Sequence, residues 1–174
     1  MVELTGKQVR LVRVAPAHVD ELRRILHTEE VARRWGTTED ADPDWPFEDP
    51  GLVRFAVLLP DGTVAGLVQY GEELDPMYRH ASVDVFLDPA RTGRGLGRDA
   101  VRTVVRHLVT ERGHHRITID PAADNEPAIR CYTAVGFRPV GRLRRYERDT
   151  STGEWHDGLL MDLLAEDFER GSAC

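Results

Sequence analysis

The chain alternates between a two-residue and a 3.6-residue apolar period, and the switches mark its elements. VRLVRV, Val9 to Val14, alternates apolar and basic positions and predicts a half-buried strand that ends at Ala15-Pro16. Pro16 opens a helix whose apolar face is Val19, Leu22, Ile25 and Leu26. A second helix, EEVARRW, carries acids first and arginines last, as its dipole favours, and stops at Gly36 with Trp35 at its exit. Residues 37–50 hold Pro43, Pro46 and Pro50 among acids, which predicts an irregular loop and, with Trp45, a candidate lid. Leu52–Leu59 and Thr63–Tyr70 read as strands joined by a hairpin turn at Asp61-Gly62. In the strand Ala81–Leu87, Val83, Val85 and Leu87 share one face while Ser82, Asp84 and Phe86 share the other.

Helical period returns in Val101, Val104, Val105, Leu108 and Val109. Gly113 stops that helix, and HRITID forms the next strand, parallel to Ala81–Leu87 through a right-handed crossover. NEPAIRCYTAVGF predicts a helix with Asn125 as cap, Pro127 in the first turn and Gly136 at the end. Two strands around the polar turn DTSTG follow, then a short helix from Ala165 to Arg170. The main order, β-α-α-β-β-β-α-β-α-β-β, predicts an α/β single domain over residues 1–174, a mixed sheet flanked by helices.

Composition narrows this picture. Charged residues make up 30% of the 174 and hydrophobic ones 41%, with no apolar run long enough to span a bilayer and no basic-then-apolar leader, so a cytoplasmic protein away from membranes is expected. The net charge of -7 disfavours a nucleic-acid binder and suits a cationic small molecule. Cys131 and Cys174 form neither a disulfide framework nor a zinc site. His114 and His115 point to opposite faces of a strand, and His156 and Asp157 sit in no motif, so no metal is expected.

The chemistry centres on DPARTGRGLGRDAV. Gly93, Gly95 and Gly97 alternate with Arg94 and Leu96 and run into a helix N-terminus near Arg98, where free N–H groups and the dipole favour an anion such as phosphate. By itself the pattern also describes a plain strand-to-helix turn. Asp84, on the strand feeding this turn, and Asp120, ending the neighbouring strand, are candidates to bind an ammonium and collect its proton.

VDVFLDPARTGRGLGRDAV and NEPAIRCYTAVGF, in this order and separation, resemble two motifs of the GNAT superfamily of N-acetyltransferases, whose members move an acetyl group from acetyl-coenzyme A to an amine. With the matching element order, the resemblance covers nearly the whole chain. Thr92 departs from it, since many members have Gln or Arg before the first glycine; here Arg91 lies one place earlier. The resemblance implies acetyl-CoA as co-substrate, its pyrophosphate held by Gly93, Arg94, Gly95, Leu96, Gly97 and Arg98, and its pantetheine arm met by Asn125, for which a pure cap is the other reading. It implies Tyr132 as the acid that protonates the departing thiolate, beside Asp84 as base and Asp120 as substrate anchor. Trp35, Tyr70, Glu72, Glu73 and Asp75 are expected to complete the acceptor wall, with core packing the alternative for Trp35. ITIDPAADNEPAIRCYTAVGF and VARRWG are most similar to aminoglycoside 6'-N-acetyltransferases, which implies a cationic amine substrate and a role in antibiotic resistance. Alternatives of the same fold are a protein N-terminal or polyamine acetyltransferase; a non-catalytic CoA-binding module is disfavoured by Tyr132 and Asp84. Oligomeric state stays open, with a homodimer through the C-terminal strands compatible with the pattern.

Overall fold

The computed structural model describes residues 3–36, 44–149 and 151–172. In chain order the elements are β1 (Glu3–Thr5), β2 (Arg10–Arg13), α1 (Pro16–Leu26), α2 (Glu29–Trp35), β3 (Leu52–Leu58), β4 (Val64–Glu73), β5 (His80–Leu87), α3 (Leu96–Thr110), β6 (Arg116–Ile119), α4 (Glu126–Val135), β7 (Arg138–Arg148), β8 (Trp155–Leu164) and α5 (Ala165–Ser172). The eight strands form one sheet in the order β1-β2-β3-β4-β5-β6-β8-β7. The expected mixed sheet flanked by helices is therefore present, with β5 and β6 as its parallel pair.

Strand β1 is an addition to the expected order. Three residues are too few to show a period, and the turn after it is fixed from far away: Asp99 accepts hydrogen bonds from the N–H groups of Lys7, Gln8 and Val9 at 3.0, 2.6 and 3.1 Å. A side chain at Gly6 would place its Cβ 2.5 Å from Asp99 Oδ2, so the turn and the helix close only around glycine.

Strand parity assigns two apolar layers to opposite faces. Phe55, Val57, Val68, Tyr70, Ala81 and Val83 pack with the α3 stripe Val101, Val104, Val105 and Leu108. On the other face Ala56, Leu58, Leu67 and Phe86 pack with Leu22, Ile25 and Leu26 of α1, Val31 of α2 and Trp45. Each such Leu, Val or Phe, removed from water, contributes about 1.5–3 kcal/mol, so the helices on both faces are held mainly by these stripes.

The parallel pair positions the site. β5 and β6 are joined only at Ala81↔Ile117 and Ser82↔Thr118. Beyond those residues the strands part, and the gap opens beside the glycine turn with Asp84 and Val85 on one side and Asp120 on the other.

Candidate active site

The glycine turn has the backbone of an anion cradle. Gly93 and Gly95 take φ values of 76° and 80°, the left-handed region in which a side chain is strained, and Gly95 caps α3. The helix starts at Leu96, two residues earlier than expected, and no side chain caps it. Leu96, Gly97 and Arg98 therefore occupy a first turn whose N–H groups have no helical acceptor. Arg94 and Arg98 are exposed beside them. Gly97 has a packing reason as well: a Cβ there would meet Leu87 Cδ1 at 3.3 Å and Cys131 Sγ at 3.7 Å, so it lets α3 approach β5 and α4. These features suit a pyrophosphate.

Next to the turn lie two joined cavities of about 620 and 390 Å3, which share Arg34, Trp35, Val85 and Asn125 as lining. The larger runs along Thr28–Val31 and Pro89 toward the turn. The smaller holds Asp84, Asp120, Tyr132, Glu147 and Glu48, walled by Trp35, Trp45 and Tyr146. Trp35 also lies edge-on to Phe86 at 4.8 Å, so it serves core and cleft at once. Asn125 caps α4 by accepting from Ala128 N–H at 3.3 Å, while its position on the shared wall leaves it facing both cavities.

Electrostatics in the smaller cavity are one-sided. Arg34 is engaged by Asp124 at 2.6 Å and Arg54 by Glu48 at 2.7 Å. Asp84, Asp120 and Glu147 have no cation in ion-pair contact among the described residues. Asp84 is open to the cleft yet walled by protein; burial, then the neighbouring Asp120 and Glu147, push its carboxyl up to about 7 against the pull of the Val85 N–H and Gln69. Burial raises Glu147 as well, with Asp120 adding and Arg34 opposing. Tyr132, buried on α4, is held protonated far above the ordinary phenol range by burial and then by Asp84. A hydrogen bond to Asp120 pushes the Tyr146 phenol up to about 12. Such a site takes up a proton near neutrality at Asp84 and keeps a phenol proton available beside it.

A profile of the acetyltransferase (GNAT) family matches residues 19–137, which include the turn, both motifs and the cleft residues other than Tyr146 and Glu147. The chain belongs to this family. Among GNAT relatives, the N-alpha-acetyltransferase RimI of Mycobacterium tuberculosis is 32% identical over 84 residues, 48% of this chain and 49% of that protein. An aminoglycoside N(6')-acetyltransferase type 1 of Klebsiella pneumoniae is 38% identical over 73 residues, 41% of this chain and 35% of that one. The chain thus matches about half or less of the length of these curated GNAT relatives. Of solved GNAT-fold structures, the spermidine N-acetyltransferase of Vibrio cholerae in complex with CoA and spermine superposes with a TM-score of 0.78 at 19% identity, over 94% of this chain and 99% of that one.

Within this GNAT domain the cleft gathers Asp84, Asp120, Tyr132, Asn125 and Trp35, and the turn gathers the residues from Gly93 to Arg98. The expected wall of Tyr70, Glu72 and Glu73 is corrected, because strand parity and distance take them elsewhere. Tyr70 pairs with Val83 and points with it to the α3 face, buried and stacked on Phe55 at 6.3 Å. Glu72 binds Arg112 at 2.9 Å and His114 at 2.7 Å, and Arg112, then His114, hold its carboxyl below the usual range. Glu73, paired with His80, lies four residues, about 13 Å, along β4 from Gln69, the partner of Asp84, and accepts from Asp75 N–H in the next turn.

The candidate lid falls partly outside the described residues, at 37–43; residues 44–50 pack down, with Trp45 buried and the Pro46 carbonyl bound by Arg54 at 2.8 Å.

Sequence reasoning missed Arg34, Glu48, Arg54, Gln69, Tyr146 and Glu147 as cleft residues, while Trp45, expected in the candidate lid, lines the cleft. Tyr146 and Glu147 arrive through a bulge: Leu143 pairs with Gly158 and Glu147 with His156, so β7 carries two extra residues there. Arg145 within it takes φ 49°, fastened by its N–H to Asp157 at 2.8 Å. The arginine-rich strand carries no sequence signal for that bulge. For Arg54 and Gln69 a signal existed: each is a polar residue inside an otherwise apolar strand, on the same face as Asp84.

Proposed function

We propose that this chain is an acetyl-CoA-dependent N-acetyltransferase acting in the cytoplasm on a cationic amine, and that the amine is the 6'-amine of an aminoglycoside. The observation that carries the reading is the cleft itself, in which three carboxylates with no ion-pair partner among the described residues and three aromatic walls face a gap beside the uncapped N-terminus of α3. Acetyl-CoA as substrate lies with its pyrophosphate on the N–H groups of the α3 first turn and its thioester reaching past Asn125 and Val85. The acceptor enters as an ammonium drawn by Asp84, Asp120 and Glu147, and Trp35, Trp45 and Tyr146 give its cation aromatic faces.

Asp84 takes the ammonium proton, and the neutral nitrogen attacks the thioester carbonyl. As the new C–N bond forms and the C–S bond breaks, Tyr132 gives its proton to the departing sulfur and regains one from the attacking nitrogen, directly or through water. The products are an amide and the free thiol of coenzyme A, and Asp84 returns its proton to solvent. A carboxyl near 7 suits a base at neutral pH.

A second reading has a polyamine in the same cleft, favoured by its negative charge and by the fold shared with a spermidine enzyme. Release of thiol from acetyl-CoA with kanamycin, spermidine and a free-N-terminal peptide separates the readings. Turnover with kanamycin well above the others supports the first; turnover with the peptide alone contradicts both.

A further inference from the structure

Arg54, Gln69 and Asp84 stand on three adjacent strands in one row. Arg54 of β3 is the register partner of Gln69 of β4, and Gln69 is the register partner of Asp84 of β5. All three face the cleft. Side chains directly opposite on neighbouring strands are within contact range, so the row forms a continuous polar ladder across a face that is otherwise apolar.

The ladder has a direction. Arg54 Nε donates to Gln69 Oε1 at 2.9 Å, Arg54 Nη2 donates to Glu48 Oε1 at 2.7 Å, and Nη1 donates to the Pro46 carbonyl at 2.8 Å. The guanidinium is buried, with 7% of its side chain exposed, and it cannot accept a hydrogen bond. It therefore claims the oxygen end of the Gln69 amide, which turns the NH2 end toward Asp84. An amide NH2 there serves the ionised carboxylate as donor and offers no acceptor for a protonated one.

We infer that Arg54 and Gln69 are positioning residues for Asp84: Arg54 fixes the orientation of the Gln69 amide, and the amide favours the ionised form of the Asp84 carboxyl against its acidic surround and aims it into the cleft. The inference rests on Asp84 as the base of the proposed reaction. Opposing groups face Asp84 from the other elements, namely Asp120 at the end of β6, Glu147 and Tyr146 on β7, and Tyr132 on α4, with Arg34 of α2 on the same wall. Without the donor from β4, that acidic surround would hold the proton on Asp84 to higher pH, where it could not collect one from the amine.

Carboxyl 13C titration of the unliganded full chain tests this without any acceptor, using Asp84→Asn to assign the resonance. In Gln69→Leu the Asp84 midpoint is expected to rise by a few tenths of a pH unit, and in Gln69→Glu, which sets a second carboxylate in the row, by more. Arg54→Lys keeps the charge but loses the planar fork that orients the amide, and is also expected to raise the midpoint. Asp149, whose carboxylate is bonded to Ser151 and Thr152 and is not in the row, reports in the same spectra that this end of the fold is intact. A midpoint that stays in place in Gln69→Leu or in Arg54→Lys, with Asp149 unmoved, overturns the proposal. Its failure is distinct from failure of the catalytic reading, which shows instead as full turnover in Asp84→Asn.

Discussion

Two carboxylates on neighbouring strands show how one residue type acquires opposite characters. Glu72 on β4 lies at the α3 end of the molecule, where Arg112 and the fully buried His114 surround it and keep it ionised. Asp84 on β5 lies in the gap between two parting strands, surrounded by Asp120, Glu147 and two tyrosines, and holds its proton to near neutrality. Both were expected in the site from the sequence, Asp84 as base and Glu72 in the acceptor wall. The difference is partnering: a neutralised carboxylate fastens elements together, while an acid among acids is left to exchange protons.

The largest expected effect separates the two in turnover. Asp84→Asn should lower kcat/KM for the amine by roughly 10²–10⁴-fold, the usual worth of a positioned base, while Glu72→Gln leaves it little changed; steady-state thiol release on both variants checks this. Comparable losses in the two would break the contrast.

A smaller effect is expected from the tyrosines on the two faces. Tyr132→Phe should slow turnover by about ten- to a hundredfold through loss of the sulfur's proton donor, and Tyr70→Phe, on the α3 face, should not. Binding of coenzyme A by calorimetry should be similar in both, which separates a lost proton donor from a lost donor site.

Stability should move in opposite directions. Because Asp84 is raised from 3.8 to about 7, the native state holds more protons than the unfolded chain within that window, and stability falls as pH rises through it. Asp84→Asn should therefore stabilise by about 1–2 kcal/mol at pH 8 and by little at pH 4, a figure reduced because water in the cleft screens the charge. Glu72→Ala should destabilise by about 1–3 kcal/mol at pH 8, since it leaves His114 and Arg112 without their acceptor. Thermal melts of the three proteins at the two pH values read both signs.

The smallest expected effect concerns Tyr146, whose hydroxyl bonds Asp120. Tyr146→Phe should raise KM for the acceptor a few-fold, about 1 kcal/mol, with kcat nearly kept.

The same contrast explains what was legible in the sequence. Helix stripes, the Asp61-Gly62 hairpin and the Asn125 and Gly136 helix ends are local signals, and each element appears where its period or cap predicts. Asp84 and the glycine turn stood out because they break or punctuate local patterns, and Tyr132 through the family resemblance. Tyr70 and Glu72 were misplaced because the face of a strand depends on register with its neighbour, and a residue one position along points the other way. Glu48, Tyr146 and Glu147 were missed because a segment packed from 44 to 50 and a two-residue bulge in β7 bring them to the cleft, and both are fixed by distant partners. Arg54 and Gln69 needed only the parity argument carried one strand further.

The claim beneath all of these predictions is that the cleft keeps one carboxyl poised to exchange a proton near neutral pH. Titration of the wild-type carboxyl resonances from pH 3 to 9 tests it most directly. The account predicts an Asp84 midpoint near 7 and a Glu72 midpoint below the ordinary 4.5 in the same protein. Two midpoints together in the ordinary carboxylate range would contradict it.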